Sequence, residues 1–130
     1  MASLLLTPRE YSHLPQLLVQ KGPGFAESPE YKALGSTDLQ FPGVVYGAFA
    51  QFLSRLQTDA IEGIGNEKGA ASLSASYQVL EWCATSHDPD VINVVVVEIF
   101  ENLDCEPPVL EAIKTHLGKA SRQLYDKWLG

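Results

Sequence analysis

The chain has 130 residues, 45% hydrophobic and 19% charged, with a formal net charge of −7; this is the make-up of one globular domain that buries a core without metal or disulfide, and it excludes a disordered or fibrous chain. The charge is lopsided, with 13 acids against 5 bases in residues 1–105 and 3 against 4 in residues 106–130. An acidic body repels phosphate, so neither nucleic acid nor an anionic membrane is expected as a partner, whereas a basic protein is.

The opening Met1-Ala2-Ser3-Leu4-Leu5-Leu6-Thr7-Pro8 has no basic leader and too short an apolar run for a signal peptide. No stretch approaches the roughly 18 apolar residues of a membrane span. Two cysteines in the whole chain agree with a reducing compartment, so the expected location is cytoplasmic. Thr7-Pro8-Arg9-Glu10 reads as a helix start, with Thr7 and Glu10 as a capping box and Pro8 at the first helical position. Tyr11, Leu14, Leu17 and Leu18 give that helix an apolar stripe, Pro15 predicts a kink, and Lys21-Gly22-Pro23-Gly24 ends it. Residues 21–43 are rich in glycine and proline but carry Phe25, Tyr31, Leu34, Leu39 and Phe41, which predicts a loop anchored on the core, with a short helix over Ser28–Leu34.

A longer helix is predicted from about Pro42 to Gln57. Val45, Phe49, Phe52, Leu53 and Leu56 recur on one face, and Gly43, Gly47 and Ala48 leave room for a close neighbour. Thr58 to Ala70 reads as a break punctuated by Gly63, Gly65, Asn66 and Gly69. The next helix, from about Ala70 to Thr85, presents Leu73, Tyr77, Leu80 and Ala84 inward, with Val79 and Trp82 to one side. After the turn Ser86-His87-Asp88-Pro89-Asp90, Asp88 caps a further helix and Pro89 takes its first position.

That helix carries Val94-Val95-Val96-Val97, a run that favours strand by propensity. The segment is nevertheless longer than most strands. It is capped at its start and followed by Pro107-Pro108, and Ile92, Val95, Val96, Ile99, Phe100 and Leu103 fall at helical spacing. Apolar nearly all round, it is expected to be covered on several sides and to mark the middle of the fold. Pro107-Pro108 opens another helix with Val109, Leu110, Ile113 and Leu117 on its apolar face, and after Gly118 a last one carries Leu124, Tyr125, Trp128 and Leu129. The expected fold is all-α, a compact single-domain bundle of five to six helices in which the two helices flanking residues 86–90 form an antiparallel hairpin.

The residues declare no reaction. Cys83 and Cys105 would lie at opposite ends of a helical hairpin, about 24 Å apart over some 16 helical residues, too far for the roughly 7 Å a disulfide allows. Cys83 and His87 have one-turn spacing but no third ligand nearby. His13, His87 and His116 show no triad order, and Glu98-x-x-Glu101 lacks the Glu-x-x-His partner of a di-iron bundle. The glycines at 22, 24, 63, 65 and 69 match no phosphate loop. No catalytic residue, cofactor or metal is expected. If the three central helices alternate up and down, one edge collects Asp59, Glu62, Glu67, Glu101, Asp104 and Glu106, opposed mainly by Lys68. That edge is the expected partner-binding surface, with a solvated acidic face as the alternative.

The Tyr77-Gln78-Val79-Leu80-Glu81 helix followed by Asp88-Pro89-Asp90-Val91-Ile92-Asn93 to Phe100-Glu101-Asn102-Leu103 resembles HEAT-like helical hairpins. No second copy follows at a fixed period, and Asn93 stands where such repeats often carry Arg. More narrowly, residues 41–104, including Phe41-Pro42-Gly43-Val44-Val45-Tyr46-Gly47, are similar to small bacterial immunity proteins of polymorphic-toxin systems. The resemblance implies inhibition of a cognate toxin by direct binding, the partner being a basic toxin domain that an acidic inhibitor attracts electrostatically. The alternative is a non-catalytic helical adaptor or scaffold, and a further one a small metal-binding bundle enzyme.

Overall fold

The computed structural model describes residues 16, 18 and 24–129. The predicted helix over 7–21 lies mostly outside them; Gln16 and Leu18 are helical, and Leu18 is fully buried. Six helices follow in chain order: α1 (Pro29–Lys32), α2 (Pro42–Glu62), α3 (Glu67–Ala84), α4 (Pro89–Asn93), α5 (Pro107–His116) and α6 (Lys119–Trp128). A 3-10 turn, Asp38–Gln40, precedes α2, and α4 runs directly into a π-helix, Val94–Ile99, and a 3-10 turn, Phe100–Asn102. There is no strand among the described residues, so the chain is the compact helical bundle its periodicity predicts.

The ends of the helices follow local chemistry. The Ser28 hydroxyl accepts from the Tyr31 N–H at the start of α1. Asp88 accepts from the Asp90 N–H at 2.9 Å, and proline takes the first turn of α4 and of α5, where its missing N–H costs nothing. The break expected over 58–70 is far shorter. α2 continues to Glu62 and stops on Gly63, whose φ of +74° is the left-handed conformation that glycine adopts without strain. The Ile64 N–H reaches back to the Asp59 carbonyl at 3.0 Å and closes the end of the helix. Asn66 then accepts from the Gly69 N–H at 2.8 Å and starts α3 three residues earlier than the apolar pattern suggests.

The middle of the fold is α2, not the valine tract. Val45, Tyr46, Phe49 and Leu53 are fully buried, and α2 packs against α1, α3, α5 and the π-helix. Pairings fix directions. Tyr46 meets Cys83 and Gln57 meets Tyr77, so α2 and α3 are antiparallel. Gly43 lies by Glu98 and Ser54 by Asp104, so α2 and the α4 segment run parallel. The expected antiparallel hairpin of α3 and α4 follows from these two relations. Gly43 and Gly47 permit the close approach: a Cβ at Gly43 would come 3.1 Å from the Glu98 carboxylate.

Two faces differ from their expected register. The valine tract is helical but wound wide, with the Phe100 N–H bonded to the Val95 carbonyl five residues back. Branched valines crowd the preceding turn of an α-helix, and the wider turn relieves that crowding. Its buried stripe is Val91, Val94, Val95, Ile99, Phe100 and Leu103, while Val96 is half-buried and Val97 is 38% exposed. The tract is therefore apolar all round but not covered all round. On α3 the buried stripe is Ser72, Ser76, Tyr77, Val79, Leu80 and Cys83; Tyr77 and Leu80 face inward as expected, whereas Leu73 and Ala84 are only half-buried. Serine serves inside because Ser76 Oγ donates to the Ser72 carbonyl and because Gly24 packs on Ser72, where a Cβ would meet Oγ at 2.7 Å. The glycine- and proline-rich loop packs as expected: Phe25 is fully buried and stands edge-on to Phe49 and Tyr31.

Candidate functional site

On the outer side of α3, Ala70, Leu73, Ser74 and Gln78, with the edge of the buried Tyr77, border an open trough. Its two lobes, about 730 and 480 Å³, share Ala60, Ala70 and Leu73. The larger lobe lies over the α2–α3 turn and is bordered by Arg55, Leu56, Asp59, Ile64 and Glu67. The smaller runs to Glu81, His116 and Gly118 at the junction of α5 and α6. Ile64 is 69% exposed and nearby Ile61 46%, so large apolar surface stands in water beside acidic side chains.

The six acids singled out from the sequence do not form one face. Asp59 and Glu67 border the larger lobe, and Glu62 is exposed on the last turn of α2. Asp104 lies on the other flank of α2, where its backbone N–H donates to Ser54 Oγ at 3.0 Å. Ser54 and Asp59 are five residues apart, which on an α-helix separates them by about 140°. Asp104 is also partly engaged, since its Oδ1 accepts from the Glu106 N–H at 2.9 Å. Glu101 and Glu106 are exposed near it. The expected single edge is thus two acidic patches, one at the trough and one beside Ser54.

The counter-charge is not Lys68 alone. Arg55 donates to both oxygens of Glu30, at 2.8 and 3.1 Å, and lies 3.8 Å from Asp59. The hydrogen bond to Glu30 holds the guanidinium pKa above its usual value, outweighing partial burial. This group fixes α1 to α2 and orients Asp59. Arg55 was not singled out from the sequence because its partner Glu30 is 25 residues away. Ile61 and Ile64, apolar and off the main stripe of α2, were the available signal for the exposed edge.

At the other end of the trough, Tyr77 donates to Gln57 Oε1 at 2.6 Å, and burial raises its pKa. The His116 ring stacks on Tyr77 with centroids 5.5 Å apart. Glu81 accepts from the N–H groups of Ala120 and Ser121, at 2.8 and 2.9 Å, and from Ser121 Oγ at 2.7 Å. It serves as the cap that Gly118 has no side chain to supply at the start of α6. Partial burial pushes the Glu81 carboxyl up, but the three hydrogen bonds together hold it below the usual carboxylate range.

The remaining candidates do not converge on a reaction. Cys83 is enclosed against the Tyr46 hydroxyl at 4.0 Å. Burial pushes its thiol up to about 12, against the opposing pull of that hydroxyl, so it is not a nucleophile at neutral pH. Cys105 is exposed and both thiols are free. His87, one turn from Cys83 in sequence, is exposed in the turn before α4. Glu98 is half-buried over Gly43, and Glu101 is exposed. Among the described residues no three His, Cys, Asp or Glu side chains group to hold a metal, and no helix is long and apolar enough to cross a membrane. His13 lies outside the described residues.

The chain belongs to the family described as a domain of unknown function, DUF7674, which matches residues 16–129. No curated protein and no solved structure matches it.

Proposed function

We propose that this domain works by binding a basic protein, and that it does so as an immunity-type inhibitor occluding a cognate toxin. The carrying observation is the trough itself: an open apolar floor with Ile64 69% exposed at its edge and the carboxylates of Asp59 and Glu67 on its border. Exposed apolar surface rimmed by charge is the anatomy of a protein contact. The apolar floor supplies affinity, and the acidic rim attracts a cationic partner before contact. The resemblance of residues 41–104 to toxin-immunity proteins supports the choice of inhibitor over adaptor.

The test is co-expression of the chain with the protein encoded beside it in the source genome. The expected result is protection of growth and a stoichiometric complex whose association slows as salt is raised. A complex with a harmless neighbour supports the adaptor reading instead. Absence of both protection and complex refutes the proposal.

A further inference from the structure

α6 is held in place by chemistry that lies outside it. Its first turn has no side-chain cap of its own, and the N–H groups of Ala120 and Ser121 are met by Glu81 of α3 at 2.8 and 2.9 Å. The other fastenings are few. Tyr125 stands edge-on to Phe100 with centroids 5.2 Å apart, and Arg122 Nη1 donates to the Lys114 carbonyl at an exposed site, 3.1 Å away. Among the described residues the buried apolar core draws on α6 for Tyr125 alone, with Leu124 partly buried against it. Leu117 and Gly118, both extended, form the link to α5. α6 is ten residues long, and a helix shorter than about 12 to 15 residues is marginal in water by itself.

These facts couple docking to folding. Once Glu81 lets go, the first turn loses its acceptor, and the helix is too short to persist without the surface of α3. α2 meanwhile keeps its main neighbours, α1, α3, α5 and the π-helix. We propose that α6 is a detachable strap: it opens about Leu117-Gly118 and unwinds as one unit while the rest of the bundle stays folded. Opening uncovers Phe100, which is 4% exposed in the closed form.

Hydrogen exchange of the full chain, read amide by amide by NMR, tests this. The protected amides of α6 are expected to exchange at one common rate, at least about tenfold faster than those of α2. Their rate is expected to depend less on added urea, because opening the strap exposes less surface than unfolding the bundle. Two variants separate strap opening from global unfolding. Phe25→Leu damages a fully buried ring whose ring neighbours are Tyr31, Phe49 and Phe52, none of them on α6. That packing is present in the closed and open forms alike, so exchange of α2 is expected to quicken about tenfold and that of α6 to stay unchanged. Glu81→Gln weakens a contact made only in the closed form, and is expected to quicken exchange of α6 and α2 alike, by about fivefold. One rate and one urea dependence for α6 and α2 overturns the proposal, as does equal acceleration of both by Phe25→Leu. A gradient of rates running inward from Trp128 and untouched by Glu81→Gln overturns it too, because α6 then frays from its end instead of opening as a unit.

Discussion

Replacing Glu81 tests how far one carboxylate on α3 holds α6 in place. Glu81→Ala removes three hydrogen bonds, two from the N–H groups of Ala120 and Ser121 and one from Ser121 Oγ. Ser121 is fully buried, so its hydroxyl is left without that acceptor. Hydrogen bonds to a charged group contribute about 1.5 to 3 kcal/mol when buried, and helix caps about 1 kcal/mol. Glu81 is only half-buried, which places the combined loss at about 2 to 3 kcal/mol, or roughly 10 °C in melting temperature for a chain of this size. Glu81→Gln keeps the shape and loses the charge, and is expected to cost about 1 kcal/mol. The effect has a sign in pH. The folded carboxyl titrates below its unfolded value, so its contribution is fully present above the unfolded pKa and is lost as pH falls through the folded one. Urea unfolding of wild type and Glu81→Gln, near neutrality and in acid, reads both quantities. A neutral-pH difference for Glu81→Ala under about 0.5 kcal/mol, or a Glu81→Gln gap that does not narrow in acid, refutes the capping account.

Gly118→Ala brings a Cβ into the same carboxylate and is expected to lose about 1 to 2 kcal/mol in urea unfolding, an effect much reduced in a Glu81→Ala background. Val95→Asp puts an unpaired charge at a fully buried site and abolishes cooperative melting by circular dichroism, whereas Val97→Asp, at 38% exposure, folds. In native protein a thiol reagent titrates Cys105 and spares Cys83, whose burial keeps it protonated; the second equivalent appears only on unfolding. On the proposed function, Asp59→Lys with Glu67→Lys is expected to slow association with the proposed basic partner in stopped flow, while surface ion-pair loss costs under about 1 kcal/mol in stability.

What was legible in the chain were features decided within a few residues. Asp88-Pro89 and Pro107-Pro108 start helices because proline and a side-chain acceptor suit a first turn wherever it lies. The glycines at 43 and 47 announced a close neighbour, and Glu98 is that neighbour. Of the six acids singled out by position, Asp59 and Glu67 border the trough, whereas Asp104 lies on the Ser54 flank. Spacing assigns residues to an end of a bundle more readily than to a face, because a rotation of one residue moves a side chain by about 100°.

That the chain is helical, and where most of its helices begin, follows from sequence alone, since apolar periodicity and caps act through neighbours in the chain. The rotation of each helix was decided by tertiary contacts. Serines at 72 and 76 lie inside because Gly24 leaves room for the Ser72 side chain and Ser76 Oγ donates to the Ser72 carbonyl. The valine tract widens into a π-helix that buries Val95 and leaves Val97 in water. Arg55 finds Glu30 across 25 residues, and Glu81 caps a helix 39 residues downstream. Such pairings depend on which surfaces meet, and the free energy that selects them exists only once the bundle has closed.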